Sequence, residues 1–394
     1  MNILSIIWVL IQVIIGYNLI LPATLFILWP ILKKRKVDGL IAAPNLDYAF
    51  IVTAYQFTET LPGVVNSILK LAYDNYIIYI VADNCDIEGL HFDNEKVVLL
   101  RPPIVLASNT KSHHYAMNNF IRQHDVVTII DSDNLVEHNY LEQLNLSFSQ
   151  GYDAVQGLRD AKNLDGTIAC LDAARDIYYH FYDGKLLFEC GSSATLSGSG
   201  MAFRANLYAD FLSENNVIGA GFDKVLQSWL LKKGKRIAFN EKAIVYDEKT
   251  SRPEQLVNQR SRWINTWFKY FRLGFSILGL GISNFSRNQF LFGLILLRPP
   301  LFIFLVLSIL FLFINLLAGL YVATLTWLIG LVIFVVFFGI SLKISNADEK
   351  IYKSLINIPK FMFYQIISLT KARRANKISV ATRHYHPIEK PKDE

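Results

Sequence analysis

Two long stretches of this sequence contain no charged residue. Residues 1–32 lack Asp, Glu, Lys and Arg, and residues 299–342 lack them too, although charged residues make up 18% of the chain. With 52% hydrophobic residues and a mean hydropathy of +0.29, this distribution excludes an ordinary soluble protein. A helix needs roughly 20 apolar residues to cross the hydrocarbon of a bilayer. The sequence therefore predicts one transmembrane helix in the first stretch and two in the second.

Positive charges follow both apolar stretches. Residues 33–36 read KKRK, and the second stretch is followed by Lys343 and later by Lys371, Arg373, Arg374 and Lys377. Because Lys and Arg accumulate on the cytoplasmic side, we expect a multi-pass protein of the cell membrane whose segment between the stretches is cytosolic. A cleaved signal peptide is disfavoured, because the first stretch is too long and no basic residue precedes it.

Cysteine is scarce, and two common signatures are missing. Cys85, Cys170 and Cys190 are the three cysteines, and we expect buried thiols, not disulfides or metal ligands. The first predicted strand is followed by YQFTE and not by GxGxxG, which excludes the dinucleotide fingerprint of a dehydrogenase. The sequence has no stripe of Lys and Arg of the kind that would indicate nucleic acid as a partner.

Short β-rich runs alternate with helical patterns from residue 48 onward. Strands are predicted at 49–54, 77–82, 97–101, 126–130 and 154–158, and helices at 61–73, 116–123 and 140–148. This alternation is typical of a parallel α/β sheet, in which ligands bind at the carboxyl ends of the strands. The predicted segments are a transmembrane helix (1–32), a cytosolic α/β domain (33–270), an interfacial segment (271–298), two transmembrane helices (299–343) and an amphipathic, basic cytosolic tail (344–394).

Acidic residues follow two of the predicted strands. Asp131 and Asp133 come directly after strand 126–130, and two carboxylates so placed can hold a hard divalent cation, Mg²⁺ or Mn²⁺. Such an ion would offset the charge of a departing nucleoside diphosphate. Asp83 ends strand 77–82, where it can accept hydrogen bonds from a uracil or a ribose. In the alternative interpretation, Asp83 only forms a turn with Asn84.

Two further candidates lie later in the chain. Gly198, Ser199 and Gly200 stand in TLSGSGMAFR, where the missing glycine side chains allow the backbone to approach a ligand, here an acceptor. Asp223 lies at the predicted start of a helix and is the candidate general base. Its alternative role is a favourable charge at the helix N-terminus.

The segment NQRSRW places three useful side chains on one face of a predicted helix. Gln259, Arg262 and Trp263 are spaced i, i+3 and i+4. Arg binds phosphate oxygens with a fixed fork, and Trp offers an apolar face to a sugar ring. We therefore predict donor contacts for Gln259 and Arg262 and an acceptor contact for Trp263. An interfacial Trp/Arg pair near the membrane is the alternative.

Taken in order, VADNCD, IIDSD, VQGLR, SGSGMAFR, GFDK and QRSRW resemble the membrane-integrated branch of glycosyltransferase family 2, which contains the cellulose, chitin and hyaluronan synthases. The similarity covers residues 48–270, and the QxxRW signature is matched without change. It implies a GT-A fold between transmembrane helices, a nucleotide contact for Asp83, and donor and metal roles for Asp131 and Asp133. It also implies donor contacts for Lys111 and Asn118. Of the family's Thr-Glu-Asp tripeptide, residues 221–223 retain only Asp223.

This resemblance implies inverting transfer of a hexosyl or N-acetylhexosaminyl group from a UDP-sugar to a growing polysaccharide. The expected partners are the donor, a glycan or lipid-linked acceptor, and membrane lipids. Three helices make a thin wall for a polymer channel, so cytosolic amphipathic segments, another subunit such as an export partner, or a second copy of the chain would have to complete it. Two alternatives stay open: addition of a single sugar, and a non-catalytic export scaffold, which the missing Glu before Asp223 suggests.

Overall fold

The computed structural model describes residues 3–33, 45–217 and 219–375. Lys34, Arg35 and Lys36, the side chain of Arg374, and the tail from residue 376, which includes Lys377, lie outside the described residues. The basic flanks predicted there stay predictions.

The first half of the chain builds most of one sheet. Its elements are α1 (Ile3–Leu32), β1 (Tyr48–Tyr55), α2 (Leu61–Leu69), β2 (Tyr76–Asp83), β3 (Val97–Leu100), α3 (Asn109–Asn118), β4 (Val126–Asp131), β5 (Leu135–Val136), α4 (Tyr140–Ser149) and β6 (Ala154–Ala161). All five predicted strands are present within three residues of their predicted ends.

The second half adds the last strands and most of the helices. It contains α5 (Thr167–Tyr179), which continues through a π-helix (His180–Leu186) into α6 (Leu187–Glu189), then β7 (Met201–Arg204), α7 (Ala205–Glu214), α8 (Phe222–Lys232), β8 (Ile237–Asp247) and α9 (Pro253–Tyr270). The remaining helices are α10 (Leu273–Ser283), α11 (Arg287–Leu297), α12 (Leu301–Leu317), α13 (Tyr321–Ile344), α14 (Glu349–Ser354) and α15 (Ile358–Lys371).

The sheet is mixed, with the strand order β3-β2-β1-β4-β7-β6-β8-β5. β1 runs parallel to β2 and β4, as predicted. β7 runs antiparallel to β4 and β6, and β5 runs antiparallel to β8, so the prediction of a parallel sheet was wrong there. The reason is that β7 starts at the edge where β4 ends: the Gly200 N–H donates to the Ile129 carbonyl at 2.9 Å just before β7 begins.

The helix predicted at 116–123 was also wrong. α3 spans Asn109–Asn118, and the N–H groups of Asn119 and Phe120 close a turn onto the carbonyls of Ala116 and Met117. The sequence NTKSHHYAMN is polar and has little apolar periodicity, which is the main signal for placing a helix.

Apolar layers cover both faces of the sheet. Along β1, Tyr48, Phe50 and Val52 pack into the layer that contains α2 and α4, while Ala49 and Ile51 pack into the opposite layer. Since helices cover both faces, successive strand residues are apolar without alternation. This burial fixes the positions of the strand ends. Cys85, Cys170 and Cys190 are buried free thiols, as predicted.

Among the described residues, α1 and α13 are long and apolar enough to cross a membrane. α11 and α12 pass the same test only as a pair that is bent by 73° at its break. Polar side chains join α1, α12 and α13, the apolar helices. Gln12 Oε1 of α1 accepts hydrogen bonds from Asn315 Nδ2 of α12 and Trp327 Nε1 of α13, both at 2.6 Å. Such hydrogen bonds hold helices together in an apolar medium.

The helix that runs from α5 to α6 connects the sheet to the apolar helices. The Tyr182 hydroxyl donates to the Phe337 carbonyl of α13 at 2.7 Å. At the end of α1, Trp29 Nε1 and Lys33 Nζ both contact the carboxylate of Glu189, at 2.6 and 2.9 Å. The sheet and the apolar helices therefore share polar anchors at two separate points.

Candidate active site

Two of the predicted acids lie at one edge of the sheet, on either side of β1. The strand registers pair Tyr55 of β1 with Asp83 of β2, and Thr53 of β1 with Asp131 of β4. Because neighbouring strands lie about 4.8 Å apart, the backbones of the two aspartates are separated by roughly two strand spacings. The structure therefore brings both residues to the edge at which ligands bind in such sheets.

Asp83 is buried, and its carboxylate is already engaged by backbone. One oxygen accepts the Leu106 N–H at 2.9 Å, and the other accepts the Ala107 N–H at 2.7 Å. Ala107 has a positive φ of 45°, an uncommon conformation for a residue with a Cβ. Asp83 therefore holds the loop that follows β3, which lines a cavity of about 340 Å³ together with Asn84. A direct nucleotide contact for Asp83 stays a prediction.

The Asp131-Ser132-Asp133 turn is held by hydrogen bonds to two neutral side chains, those of Ser199 and Asn134. The Asp131 N–H donates to Ser199 Oγ at 3.0 Å. The Asn134 amide, with its nitrogen towards Asp133, donates to both carboxylate oxygens at 3.1 and 3.2 Å and accepts from Ser199 Oγ at 2.9 Å. Asp133 is 6% exposed, and Asp131 is half-buried.

The segment Gly198-Ser199-Gly200 adjoins that turn through the Ser199 hydroxyl. Ser199 is fully buried, so its hydroxyl braces the turn and does not face open space. Gly200 has a positive φ of 66°, and a Cβ there would lie 3.1 Å from Val245 Cγ2. An acceptor contact for the backbone of this segment stays a prediction.

Asp223 lies in the first turn of α8, so the predicted helix start is confirmed. Its side chain is 19% exposed, and Lys224 Nζ lies 3.5 Å from Oδ2. Gly221, two residues earlier, has a positive φ of 98°, and a Cβ there would lie 2.5 Å from Thr266 Cγ2 and 2.7 Å from Tyr270 Cε2. The start of α8 is therefore pressed against α9, the helix that carries QxxRW.

The QxxRW residues lie on α9 as predicted, but Trp263 has neighbours that the sequence did not suggest. Gln259 and Arg262 are half-buried, and burial lowers the pKa of the Arg262 guanidinium. Trp263 is 39% exposed, and its ring centroid lies 4.1 Å from the Arg260 guanidinium carbon and 4.7 Å from that of Arg175. These cation–π contacts use part of the ring that we expected to stack on a sugar.

The residues of α3 divide between surface and core. Lys111 and Asn118 are exposed, and their donor roles stay predictions. His113, for which no role was predicted, is buried, and its Nδ1 lies 2.6 Å from the Tyr208 hydroxyl. Burial lowers the pKa of His113 to about 3, so the imidazole is neutral and forms part of the packing.

Sequence reasoning missed a group of buried charged side chains that lies between α9 and the Asp131-Ser132-Asp133 (DxD) turn. Arg159 of β6 contacts Asp247 at the end of β8, with 2.8 Å between Nη2 and Oδ1. Lys249 contacts both Asp247 and Asp176 of α5. Burial lowers the Arg159 pKa, but the carboxylates of Asp247, Asp131 and Asp176 outweigh it and hold the pKa above its usual value.

One sequence signal for this group was present on α5. Asp172, Arg175 and Asp176 are spaced i, i+3 and i+4, which places alternating charges on one helix face. The structure buries that face, and Asp172 forms an ion pair with Arg260 of α9. The partners of a buried charge depend on elements far apart in sequence, so the spacing alone did not identify them.

The DxD turn suits a divalent cation that is shared with a ligand. No group of three or more His, Cys, Asp or Glu side chains could hold a metal ion by itself within the described residues. Mg²⁺ and similar ions, however, bind through one or two carboxylates together with substrate phosphates. Asp131 and Asp133, at a strand end and braced by Ser199, fit that requirement.

Comparison with known proteins bears on the fold and the family of the chain. The fold is similar to that of the mannosyltransferase PcManGT from Pyrobaculum calidifontis, solved with GDP-Man and Mn²⁺, with 10% identity, a TM-score of 0.51, and coverage of 91% of this chain and 98% of that one. A weaker similarity, with 13% identity, a TM-score of 0.45 and coverage of 84% and 90%, relates it to S. aureus TarS 1–349 in complex with UDP-GlcNAc. No curated protein matches the sequence. The sequence model described as glycosyltransferase like family 2 matches residues 44–266, which is more than half of the chain. The chain therefore belongs to this glycosyltransferase family, and its mixed sheet is a GT-A fold.

Proposed function

We propose that this protein is a membrane-integrated, inverting glycosyltransferase that moves a sugar from a UDP-sugar to a growing polysaccharide. The observation that carries the proposal is the position of Asp83 and Asp131 on either side of β1 at one edge of the sheet. The GT-A neighbour that was solved with GDP-Man and Mn²⁺ is consistent with a nucleotide-sugar donor.

In the proposed reaction, the residues of the chain divide the work between donor and acceptor. Asp131 and Asp133 would hold Mg²⁺ or Mn²⁺, which when bound supplies positive charge for the diphosphate leaving group. The half-buried Arg262 is suited to a second contact with phosphate oxygens. Asp223 takes the proton from the acceptor hydroxyl, which then attacks the anomeric carbon from the face opposite the departing diphosphate. General-base help of this kind contributes roughly 10²–10⁴-fold.

The surroundings of α9 support an acceptor at the membrane. Ile264, one residue after QxxRW, packs with Phe302 of the apolar helix α12 and with Ala372 after α15. The candidate site therefore borders the apolar helices. With α1, α13 and the bent α11–α12 pair as spans, the sheet domain would be cytosolic, as the basic flanks predict.

A second candidate, addition of one sugar to a lipid-linked or glycan acceptor, is favoured by the packing of the apolar helices. Gln12, Asn315 and Trp327 point inward, and both Asn315 and Trp327 donate to the Gln12 side chain. Inward polar groups that are already paired would not line a path for a polar polymer. A polysaccharide would then need a path built from a second copy of the chain or an export partner.

The test is a screen of the purified protein in detergent or nanodiscs. UDP-sugars and GDP-mannose are supplied with Mg²⁺ or Mn²⁺, and nucleotide release and product size are measured. Release of UDP with a ladder of long products supports polysaccharide synthesis, and a single added sugar supports the second candidate. No transfer from any donor would refute both candidates and favour a non-catalytic scaffold.

A further inference from the structure

We propose that Lys249 is a positioning residue for sugar transfer. It joins β8, the strand that supports the DxD turn, to α5, the helix that supports Trp263. The inference rests on the proposed function. Lys249 would hold the donor side of the site, at the DxD turn, in place relative to the acceptor side, at Trp263. It need not touch a substrate.

Lys249 is a buried cation with two carboxylate partners. It is 2% exposed, and its Nζ lies 2.7 Å from Asp176 Oδ2 and 2.9 Å from Asp247 Oδ2. The Lys249 N–H donates to Asn163 Oδ1 at 2.7 Å, and Asn163 Nδ2 donates to the Lys249 carbonyl at 3.0 Å. Burial lowers the Lys249 pKa, but the two carboxylates outweigh it and raise the pKa above its usual value. The ammonium group is therefore charged and fixed in place.

On the donor side, the connection passes through Asp247 to Arg159. Arg159 contacts Asp247 Oδ1 at 2.8 Å and donates to the Ser197 carbonyl, two residues before the Ser199 that braces the Asp131 N–H. Any shift of Asp247 would therefore move the groups that hold the DxD turn.

On the acceptor side, the connection passes through Asp176 to the QxxRW helix. Asp176 also contacts Arg175, whose guanidinium lies over the Trp263 ring. One turn earlier on α5, Asp172 pairs with Arg260 of α9. Any shift of α5 would therefore move α9 and its Trp263.

Removing the ammonium group would leave each buried carboxylate with one cationic partner fewer: Asp247 would keep Arg159 and Asp176 would keep Arg175. Loss of one member of a buried ion pair is costly, because the remaining charge stays desolvated. The connection that Lys249 makes between β8 and α5 would be lost, and repulsion between Asp176 and Asp247 would add to the destabilisation. Misplacement of reacting groups by about 1 Å can cost about 100-fold in rate, so the chemical step is the property most exposed to this change.

The experiment compares Lys249→Met with a charge-balanced double variant, Lys249→Met with Asp176→Asn. We expect kcat for transfer to fall by about 100-fold in Lys249→Met, while the affinity for UDP with Mn²⁺, measured by calorimetry, stays within about threefold of wild type. The double variant removes the repulsion, so its melting temperature should return towards wild type, but its kcat should stay low because β8 and α5 remain unconnected. Lys249→Arg, which can contact both carboxylates, should recover most of kcat.

Lys233→Met is the matched control, because Lys233 forms an exposed ion pair with Glu214 and lies at the opposite end of α8 from Asp223. It should leave kcat unchanged. Recovery of kcat together with the melting temperature in the double variant would show that Lys249 acts only through stability, and would overturn the inference. Wild-type kcat in Lys249→Met would also overturn it, while absence of transfer by the wild-type protein would instead refute the proposed function.

Discussion

Arg298 and Asp183 form a buried ion pair that ties the apolar helices to the sheet domain. Arg298 Nη1 lies 3.1 Å from Asp183 Oδ1, and Nη2 contacts Oδ2. Each side chain is 4% exposed. Arg298 stands at the break between α11 and α12, whereas Asp183 lies in the π-helix. The two-pronged pair therefore fixes where the apolar helices begin relative to the sheet.

Asp183→Asn should destabilise the protein strongly. The substitution leaves the Arg298 charge buried without its counter-charge, which costs about 3–5 kcal/mol in comparable buried pairs. The measurement is the midpoint of thermal unfolding in detergent. Glu349→Gln is the control, because its pair with Lys353 is more than 70% exposed on both sides and such pairs contribute about 0–1 kcal/mol. Equal midpoints for the two variants would contradict the prediction.

Asp223→Asn should retain the fold and donor binding but lose transfer. The amide cannot take a proton from an acceptor hydroxyl, so we expect the transfer rate to fall by at least about 100-fold. Nucleotide affinity and the melting temperature should stay close to wild type, because Asp223 is partly exposed and its ion pair with Lys224 is long, at 3.5 Å. Asp210→Asn, on the exposed face of α7, is the control. Transfer at the wild-type rate in Asp223→Asn would exclude the residue as the base.

Gly221→Ala should damage the site more than Gly234→Ala, although both glycines have positive φ values, 98° and 71°. Each substitution strains the backbone by about 1–2 kcal/mol. Only the new Cβ at 221 meets α9, at 2.5 Å from Thr266, whereas nothing lies within 4 Å of a Cβ at 234. We therefore expect Gly221→Ala to lower kcat as well as the melting temperature, and Gly234→Ala to lower only the melting temperature. Unchanged kcat in Gly221→Ala would show that α8 and α9 can separate without consequence.

The sequence was sufficient to predict those parts of the fold and site that depend on local patterns. Apolar runs located β1, β2 and β4, and the strand ends then placed Asp83 and Asp131 at one edge. The QRSRW spacing placed Gln259, Arg262 and Trp263 on a helix. In each case the residues that carry the signal are neighbours in sequence.

The features that were missed depend on contacts between distant segments. β7 is antiparallel because its start is bonded to Ile129, which no local pattern of MAFR reveals. The Asp83 carboxylate accepts the N–H groups of residues 23 and 24 positions later, and no local pattern around VADNCD reveals these partners. Lys249 resembles a surface lysine in sequence, and only the fold places Asp176 and Asp247 around it.

Asp133→Ala should uncouple nucleotide binding from the divalent cation. With one of the two carboxylates removed, Mn²⁺ loses a protein ligand, and its contribution to holding the diphosphate should fall by at least about tenfold in affinity. Calorimetric titration of UDP with and without Mn²⁺ measures this. Asp160→Ala, an exposed residue of β6, should keep the wild-type Mn²⁺ dependence. An Asp133→Ala protein that still needs Mn²⁺ to the same degree would place the metal elsewhere.

The stability of the protein should fall as the pH drops from about 6.5 towards 4, and buried histidines are the reason. Burial lowers the pKa of His113 to about 3 and that of His180, where burial is likewise the largest cause, to about 4. In this window the unfolded chain binds protons that the folded chain excludes, so the free energy of unfolding decreases with falling pH, by up to about 1.4 kcal/mol per pH unit for each group. Burial also lowers the pKa of His124. The lowered pKa values of Asp176 and Asp247 act at lower pH, where their carboxylates become protonated, so they do not contribute here.

His113→Gln removes one of these three histidines, and melting temperatures measured between pH 7 and pH 5 should therefore change less steeply with pH than in wild type. Parallel pH profiles for the two proteins would mean that His113 becomes protonated without unfolding, which its burial against Tyr208 and Phe222 should prevent.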